Sequence, residues 1–236
     1  MAGGSEAGRR AFLRRVALFA SLSDDDLGSL SRAGITDWAR AGTAILKEGA
    51  PANGVIVLTE GRAKVVIAGQ KGQDIILAIV EPLSVVGELA LLDRSPRSAT
   101  VTALERTGFV EIPLQPFEAL LKNNRAFAEA IARHLAATLR HANEQLRAIC
   151  TLPAERRVAW CLRRIARQQA KQDGSSYLIR PSPLQQDIAD MTACSRETVS
   201  RALAILKRKN CVREEDGGLR VLDGINRHLR DDVWLS

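Results

Sequence analysis

Residues 192–201 read TACSRETVSR and decide how the C-terminal part of this chain is interpreted. A tight turn precedes Ser195, a residue type that caps helices, so the pattern predicts a helix that begins here. At 3.6 residues per turn, the polar side chains of its opening turns share one narrow arc. They are Arg196, Glu197, Ser200 and Arg201. Such an arc suits a DNA major groove, because Arg can donate to guanine and Glu can accept from cytosine. The alternative is an ordinary surface helix of mixed charge.

The segment before this helix strengthens the DNA interpretation. Gln185 to Met191 is short and amphipathic, and a short helix, a tight turn and a longer helix make a helix-turn-helix. On the longer helix, the apolar face would hold it to its domain; its residues are Val199, Leu203 and Leu206. Cys211 to Leu222 then looks like two strands around an Asp-Gly-Gly turn. The sequence therefore predicts a winged helix-turn-helix.

Gln185 to Leu206 closely resembles the DNA-binding motif of the cyclic AMP receptor protein and FNR (CRP/FNR) family of bacterial transcription regulators. The resemblance implies that Arg196, Glu197 and Arg201 read bases. Together with capping and phosphate contacts, the predicted DNA-binding residues are Ser195, Arg196, Glu197, Ser200, Arg201 and Lys207. One departure is Ala193, which stands where the family usually has a turn glycine. If this position needs a left-handed backbone, its Cβ costs about 1 kcal/mol.

Charge and composition agree with a nucleic-acid partner. The chain has 236 residues, a net charge of +7 and a pI near 9.7, which favours a polyanionic partner. From Cys150 to the end there are 16 Lys and Arg against 11 Asp and Glu, a net +5, which leaves +2 for the rest. No apolar run approaches the ~18 residues of a membrane span, so we expect a soluble, cytoplasmic protein with no membrane partner.

The cysteines and histidines do not predict a metal site or an enzyme. The four cysteines form no C-x-x-C pair, which argues against zinc or disulfides and fits a reducing compartment. His134, His141 and His228 are isolated, and we expect the first two to be solvated or at a subunit boundary rather than bound to metal. We find no Ser/His/Asp constellation and no nucleotide-hydrolysing loop, and therefore expect no catalytic activity and no metal.

The hydrophobic periodicity divides the chain into successive regions. Residues 8–34 have helical spacing, and Ser23 before three aspartates is a helix-start signal. From Ala41 to Ile112 short β-rich runs alternate with glycines, which predicts a β-roll of the jelly-roll kind. From Pro113 the spacing is helical again. The sequence thus predicts an α+β chain with domains at 8–125, 126–152 and 153–236: a ligand-binding β-roll, a dimerisation helix with its hinge, and the winged helix-turn-helix.

A heptad-like apolar stripe runs along the predicted long helix. Its members are Leu135, Leu139, Ala142, Leu146 and Ile149. We predict that its lower half pairs with the same helix of a second subunit, although packing on its own β domain is the alternative. Leu152 and Pro153 then end the helix and create a hinge.

Residues 86–100, VGELALLDRSPRSAT, hold a second group of polar residues. Free N–H groups after Gly87 make an anion site that a phosphate can approach closely. Arg97 offers a fixed cationic fork, and Ser98 adds a hydroxyl donor. Glu88 cannot bind phosphate but can accept from a ribose hydroxyl. These groups describe a ribose-phosphate pocket; the alternative is that Glu88 and Arg97 form an ion pair that closes a turn.

This stretch resembles the phosphate-binding cassette of cyclic-nucleotide-binding domains, G-E-[LI]-A-L…P-R-[ST]-A, without a gap. The resemblance implies that Glu88 holds the ribose, while Arg97, Ser98 and the amides of Gly87–Leu89 hold the cyclic phosphate. It also places Ala142 and Asn143 where the best-known cyclic AMP sensor of the family contacts the base with Thr and Ser. Ala142 has no hydroxyl, Asn143 can pair with adenine or guanine, and Thr138 lies one turn back.

The resemblance implies a homodimeric regulator that binds palindromic double-stranded DNA and contacts RNA polymerase. We expect cyclic AMP to be the allosteric effector, with cyclic GMP as a serious competitor. One alternative is a DNA-binding regulator with a different effector, such as a cyclic dinucleotide, or with none. The other is a cyclic-nucleotide module that controls an enzyme or a channel, which residues 192–201 argue against.

Overall fold

The computed structural model describes residues 5–69, 74–169, 171–173, 175–215 and 217–229. The chain divides into two compact units, Met1–Arg140 and His141–Ser236. The boundary between them falls inside the long helix α5 (Arg125–Thr151), so this helix contributes residues to both units.

The N-terminal unit opens with helices, as the spacing of residues 8–34 predicts. They are α1 (Glu6–Leu13), a 3-10 turn (Ala17–Phe19) and α2 (Asp24–Ala33). Ser23 caps α2, because its hydroxyl accepts a hydrogen bond from the backbone N–H of Asp26 at 3.1 Å. This cap satisfies a donor that has no intrahelical partner, and the aspartates of the first turn favour the same helix end. The predicted helix start is confirmed.

The β-roll that follows consists of two antiparallel sheets. The strands are β1 (Ile35–Ala39), β2 (Ala44–Leu46), β3 (Gly54–Glu60), β4 (Ala63–Ala68), β5 (Asp74–Val80), β6 (Val85–Val86), β7 (Thr100–Ala103) and β8 (Thr107–Pro113). One sheet has the order β1-β8-β3-β6 and the other β2-β7-β4-β5. Ile56 and Leu58 of β3 share a buried cluster with Val101 of β7, so the two sheets pack face to face. The β-roll prediction is confirmed, although β1 and β6 were not predicted.

Helices cover the outer face of the first sheet. They include the short α3 (Glu88–Leu92), α4 (Leu114–Asn123) and the first part of α5. Val55 and Val57 of β3 point to this side, where Phe117 and Phe127 meet edge to face with ring centroids 5.4 Å apart. Strand β3 is therefore buried on both faces, which explains why its sequence GVIVL is a continuous apolar run rather than an alternating one.

The apolar stripe of α5 is only partly covered. Leu135 packs against the buried cluster of the N-terminal unit. Leu139 and Leu146, in contrast, keep 62% and 61% of their surface exposed. The stripe therefore does not pack on the β domain along its whole length, and a row of exposed leucines spaced by one heptad remains on the helix.

Within the C-terminal unit, Leu152 and Pro153 interrupt the helix between α5 and the next helix, as predicted. Its elements are α6 (Ala154–Gln169), β9 (Lys171–Asp173), β10 (Ser176–Ile179), α7 (Gln185–Thr192), α8 (Arg196–Arg208), β11 (Val212–Glu215), β12 (Gly218–Val221) and α9 (Gly224–His228). Strands β11 and β12 form the predicted hairpin, and the Asp216 of its turn lies outside the described residues. The sheet has the order β11-β12-β10-β9, and its strands β9 and β10 were not predicted. The predicted winged helix-turn-helix is confirmed.

Candidate nucleotide pocket and DNA-binding surface

The candidate pocket starts at Gly87, between β6 and α3. Gly87 has a φ of 86° and occupies the N-cap of α3 without a side-chain cap. A Cβ here would lie 2.6 Å from Nη1 of Arg97 and 2.8 Å from Cδ1 of Leu46. Both the left-handed backbone and the close approach of Arg97 therefore require glycine. Because the first N–H groups of a helix have no intrahelical acceptor, this turn presents free donors, as the sequence indicates.

Arg97 is a buried cation fixed by backbone carbonyls. Only 6% of its surface is exposed. Its Nη1 donates to the carbonyl of Gly87 at 2.7 Å, and its Nη2 donates to the carbonyl of Gly54 at 2.6 Å. Burial lowers the pKa of the guanidinium, while the carboxylates of Glu111 and Glu88 oppose this shift. The two hydrogen bonds lock the side chain beside the α3 N-terminus, where a phosphate would find a prearranged charge.

Glu88 is equally buried, but its partner is not Arg97. Glu88 is 6% exposed, and its Oε1 lies 3.3 Å from Nε2 of His134 on α5. The hydrogen bond to Glu88 raises the pKa of His134, and burial opposes that effect. Within the described residues Glu88 and Arg97 attract each other without forming the direct ion pair of the alternative interpretation, since each side chain hydrogen-bonds to a different partner. The contact of His134 was missed: the histidine was expected to be solvated or at a subunit boundary.

The remaining predicted ligand residues lie at different places in the structure. Ser98 is exposed in the segment that leads into β7, and Leu89 is exposed on α3. Thr138 is exposed on α5 and donates to the carbonyl of His134 at 3.1 Å. Ala142 and Asn143 are exposed residues of α5 that belong to the C-terminal unit. Gly87, Glu88 and Arg97 are thus brought together, whereas contacts of the other residues with a ligand stay predictions.

A separate cleft of about 520 Å³ lies beside α3. It is lined mainly by small and apolar residues, namely Gly49, Pro51, Ala52, Ala90, Leu91, Arg94, Ser95, Pro96, Leu114 and Glu118. Neither Glu88 nor Arg97 lines it. The candidate nucleotide pocket consequently rests on the buried charged groups around Gly87 and not on this cleft.

The candidate DNA-binding surface is built around the turn between α7 and α8. Ala193 has φ 51° and ψ 46°, so this position does take a left-handed backbone although its residue carries a Cβ. The hydroxyl of Ser195 accepts from the N–H of Thr198 at 3.2 Å, and α8 begins at Arg196. Val199 and Leu206 are fully buried beneath the helix. This packing leaves one side of the opening turns in solvent; its exposed residues are Arg196, Glu197, Ser200 and Arg201.

Hydrogen bonds and charges prepare parts of this surface. A backbone N–H and the hydroxyl of Ser195 lower the pKa of Glu197, which therefore stays ionised and can accept hydrogen bonds. Nη2 of Arg201 donates to the hydroxyl of Thr198 at 3.3 Å. The far end of α8 is different, because Nζ of Lys207 lies 2.6 Å from Oε1 of Glu214 on β11. The lysine expected to contact phosphate is paired within the free protein.

The side chains that could ligate a metal are scattered over the fold. Among the described residues, no group of three or more His, Cys, Asp or Glu side chains is arranged to hold a metal ion. Burial raises the pKa of the Cys161 thiol to about 12, which keeps it protonated. No helix in the described ranges is both long and apolar enough to cross a membrane.

Comparison with known proteins finds two family models that match separate parts of this chain. Residues 37–124 match the family described as "Cyclic nucleotide-binding domain", and residues 156–224 match the "Crp-like helix-turn-helix domain". The cyclic AMP receptor protein of Thermus thermophilus is 30% identical over 180 residues, which cover 76% of this chain and 80% of that protein. The chain belongs to the CRP/FNR family.

Other CRP/FNR relatives agree. A CRP-like cAMP-activated global transcriptional regulator of Mycobacterium tuberculosis is 26% identical over 182 residues, covering 77% of this chain and 81% of the relative. The structure of FixK2 from Bradyrhizobium japonicum shares the fold, with a TM-score of 0.72 and 22% identity over 82% of this chain and 94% of that one. The chain is accordingly a CRP-family DNA-binding transcription regulator with a cyclic-nucleotide-binding domain, and its families and relatives are regulators rather than enzymes.

Proposed function

We propose that this CRP-family regulator acts as a homodimer whose binding to DNA is controlled by a cyclic mononucleotide, with cyclic AMP as the effector and cyclic GMP as the competitor. The observation that carries the proposal is the pair of buried charged groups beside Gly87: Glu88, which follows it in the chain, and Arg97, which donates to its carbonyl. Among the described residues no direct ion pair joins Glu88 to Arg97, and burying charged groups that are not directly paired is costly unless another partner or a ligand compensates them.

The pocket fits a ribose cyclic phosphate. Arg97 has more N–H donors than the carbonyls of Gly87 and Gly54 use, so it can also donate to phosphate oxygens. Ser98 and the amides of Gly87–Leu89 would add neutral donors, and Glu88 would accept from the ribose 2′-hydroxyl. The effector would supply the negative charge that these donors select.

The choice of base rests on α5. Relatives named as cyclic AMP receptors or cAMP-activated regulators support cyclic AMP as the first candidate. Thr138, Ala142 and Asn143 would lie nearest the base, and Asn143 offers both a donor and an acceptor. Because the same amide can pair with adenine or guanine, cyclic GMP must be tested alongside cyclic AMP.

The exposed stripe on α5 supports dimerisation. Leu139 and Leu146 are exposed and one heptad apart, which places them on one face of the helix. Burying a leucine side chain contributes roughly 1.5–3 kcal/mol, so two such residues per protomer supply a substantial driving force. A two-fold dimer would also present two α8 helices to a palindromic double-stranded site, in successive major grooves.

On the DNA, Arg196, Glu197 and Arg201 would contact bases. Ser195, Ser200 and Lys207 would position the helix, the lysine through phosphate. The domain limits 8–125, 126–152 and 153–236 then separate effector binding, dimerisation with the hinge, and DNA recognition. RNA polymerase would be the partner of the bound dimer, and the cytoplasm its compartment.

Control by the effector would work as a population shift. Moving an equilibrium from mostly inactive to mostly active needs about 5 kcal/mol of differential ligand affinity. Two nucleotide pockets per dimer can provide this if each favours the active state by about half that amount. The helix break at Leu152 and Pro153 would allow the DNA-binding domains to reorient.

The test is calorimetric titration of the full chain with cyclic AMP and, separately, cyclic GMP. Arg97→Ala and Glu88→Gln serve as variants, and thermal unfolding checks that each stays folded. Saturable binding of one nucleotide that both variants weaken at least tenfold supports the proposal. Absence of binding of either nucleotide by the wild-type protein refutes it and favours a regulator with another effector.

A further inference from the structure

His134 links the candidate ribose-binding carboxylate to the long helix. Its Nε2 lies 3.3 Å from Oε1 of Glu88, and within the described part of the chain no other side chain or backbone group bonds to that carboxylate. Glu88 comes from α3 and His134 from α5, 46 residues further along the chain. The contact therefore depends on how α5 packs against the β-roll.

The geometry leaves half of the carboxylate available. A carboxylate has two oxygens with several lone pairs, and the imidazole occupies Oε1 alone. Because the side chain of Glu88 is buried, its rotamer is restricted, and the histidine further fixes which oxygen faces α5. Oε2 remains as an acceptor. A ribose hydroxyl that donates to Oε2 would meet a carboxylate whose orientation is already set, which reduces the ordering cost of binding.

We propose that His134 is a positioning residue for Glu88 and that its protonation tightens the binding of a cyclic nucleotide. This inference rests on the proposed function, because it assigns a role to a residue next to the same pocket. It makes the affinity for the effector depend on pH.

The charges around His134 determine the direction of the effect. Glu88 on α3 is the charged group in direct contact with it; Arg97, in the segment before β7, interacts electrostatically with Glu88 and with Glu111 on β8. The hydrogen bond from Glu88 already raises the pKa of His134 above its ordinary 6.5 in the free protein. A cyclic nucleotide would bring a phosphate anion into the same pocket and raise this pKa further.

The sign follows by linkage. Since the complex would hold the proton on His134 more tightly than the free protein does, binding takes up a proton. Affinity is then highest below the pKa of the free protein, falls as pH rises through it, and becomes constant above the pKa of the complex. Each tenfold difference between the low-pH and the high-pH affinity corresponds to one unit between the pKa of the free protein and that of the complex.

The experiment measures the dissociation constant of cyclic AMP for the full-length protein from pH 6 to pH 8.5. The wild-type protein should lose about three- to tenfold in affinity across this range. In His134→Gln the side-chain amide can still donate to Glu88 but does not titrate, so affinity should stay near the high-pH value at every pH. In His134→Leu the donor is lost, and binding should be weaker than in His134→Gln by about fivefold or more at every pH, in line with the loss of one charge-assisted hydrogen bond.

His141→Gln is the matched control, because His141 is an exposed histidine on the same helix. It should keep the wild-type pH profile. A wild-type profile that is flat while cyclic AMP binds would overturn this inference and leave the proposed function intact. A His134→Gln protein that retains the wild-type slope, or a His134→Leu protein that binds as tightly as wild type, would also overturn it. Failure of the wild-type protein to bind cyclic AMP or cyclic GMP would reject the pocket itself and this role with it.

Discussion

Replacement of Gly87 by alanine tests whether the pocket is built on a glycine that lets Arg97 approach. Gly42 provides a matched control, because its φ of 78° is close to the 86° of Gly87 but no atom lies within 4 Å of the position that a methyl group would take there. Both substitutions place a side chain in the left-handed region, which costs about 1–2 kcal/mol. Only at Gly87 does the new methyl meet Nη1 of Arg97 at 2.6 Å and Cδ1 of Leu46 at 2.8 Å.

The difference between the two variants isolates the contact with Arg97. To admit the methyl group, the guanidinium must shift away from the Gly87 carbonyl, with which it now makes a hydrogen bond of 2.7 Å. Overpacking costs about 1–3 kcal/mol, so Gly87→Ala should lose about that much more stability than Gly42→Ala. A displaced Arg97 should also weaken cyclic nucleotide binding at least tenfold, about 1.4 kcal/mol, whereas Gly42→Ala should bind as wild type.

Calorimetric unfolding of both variants, with and without cyclic AMP, measures the two effects together. We expect a lower unfolding temperature for both free proteins and a reduced ligand-induced increase for Gly87→Ala alone. Equal losses of stability in the two variants, or normal nucleotide affinity in Gly87→Ala, would show that the close approach of Arg97 does not govern the pocket.

Three further predictions concern the helices. Arg196→Ala should weaken binding to a selected palindromic site by about 1–3 kcal/mol per half-site and relax the base preference. Lys207→Ala should weaken binding to all sequences alike and reduce its salt dependence, and fluorescence anisotropy measures both variants. Equal effects on specific and random DNA in both variants would refute the assignment. Leu139→Asp should shift the protein toward monomers in analytical ultracentrifugation. The control Leu184→Asp should not, because Leu184 is a leucine with 66% exposure that lies outside the stripe. A Leu139→Asp protein that remains fully dimeric counts against the α5 interface. Ala193→Gly should raise the free energy of unfolding by about 1 kcal/mol, because it removes a Cβ from a left-handed residue; an unchanged or lower value would contradict the strain at this turn.

Local signals in the sequence predicted the elements that depend on neighbouring residues. The hydroxyl of Ser195 has its partner at Thr198, and the left-handed turn at Ala193 lies between two short helical patterns, so both features are encoded within a few residues. The same holds for the helix cap at Ser23. The phosphate-binding turn could be located because Gly87 and Glu88 stand between a strand pattern and a helical one.

Features that depend on distant partners were not predictable in the same way. Arg97 bonds to the carbonyl of Gly54, 43 residues away, and no residue type signals a backbone acceptor. His134 meets Glu88 only because α5 packs against the β-roll. Strand β6 has two residues and β9 has three, which is too short for an alternating pattern to appear. In each case the missing information is tertiary contact rather than local preference.

The ion pair between Lys207 and Glu214 affects how this regulator would search a genome. Because the lysine already has a carboxylate 2.6 Å away, its transfer to a DNA phosphate leaves Glu214 without that partner. Such an exposed pair contributes about 1 kcal/mol or less, so breaking it lowers the affinity for non-specific DNA by a factor of up to about five per protomer. The loss is the same at every site, but at a cognate site the base contacts of α8 add affinity that random sequences do not provide. The wing strand would thereby shorten residence on irrelevant DNA and leave more of the protein free to reach its own operators.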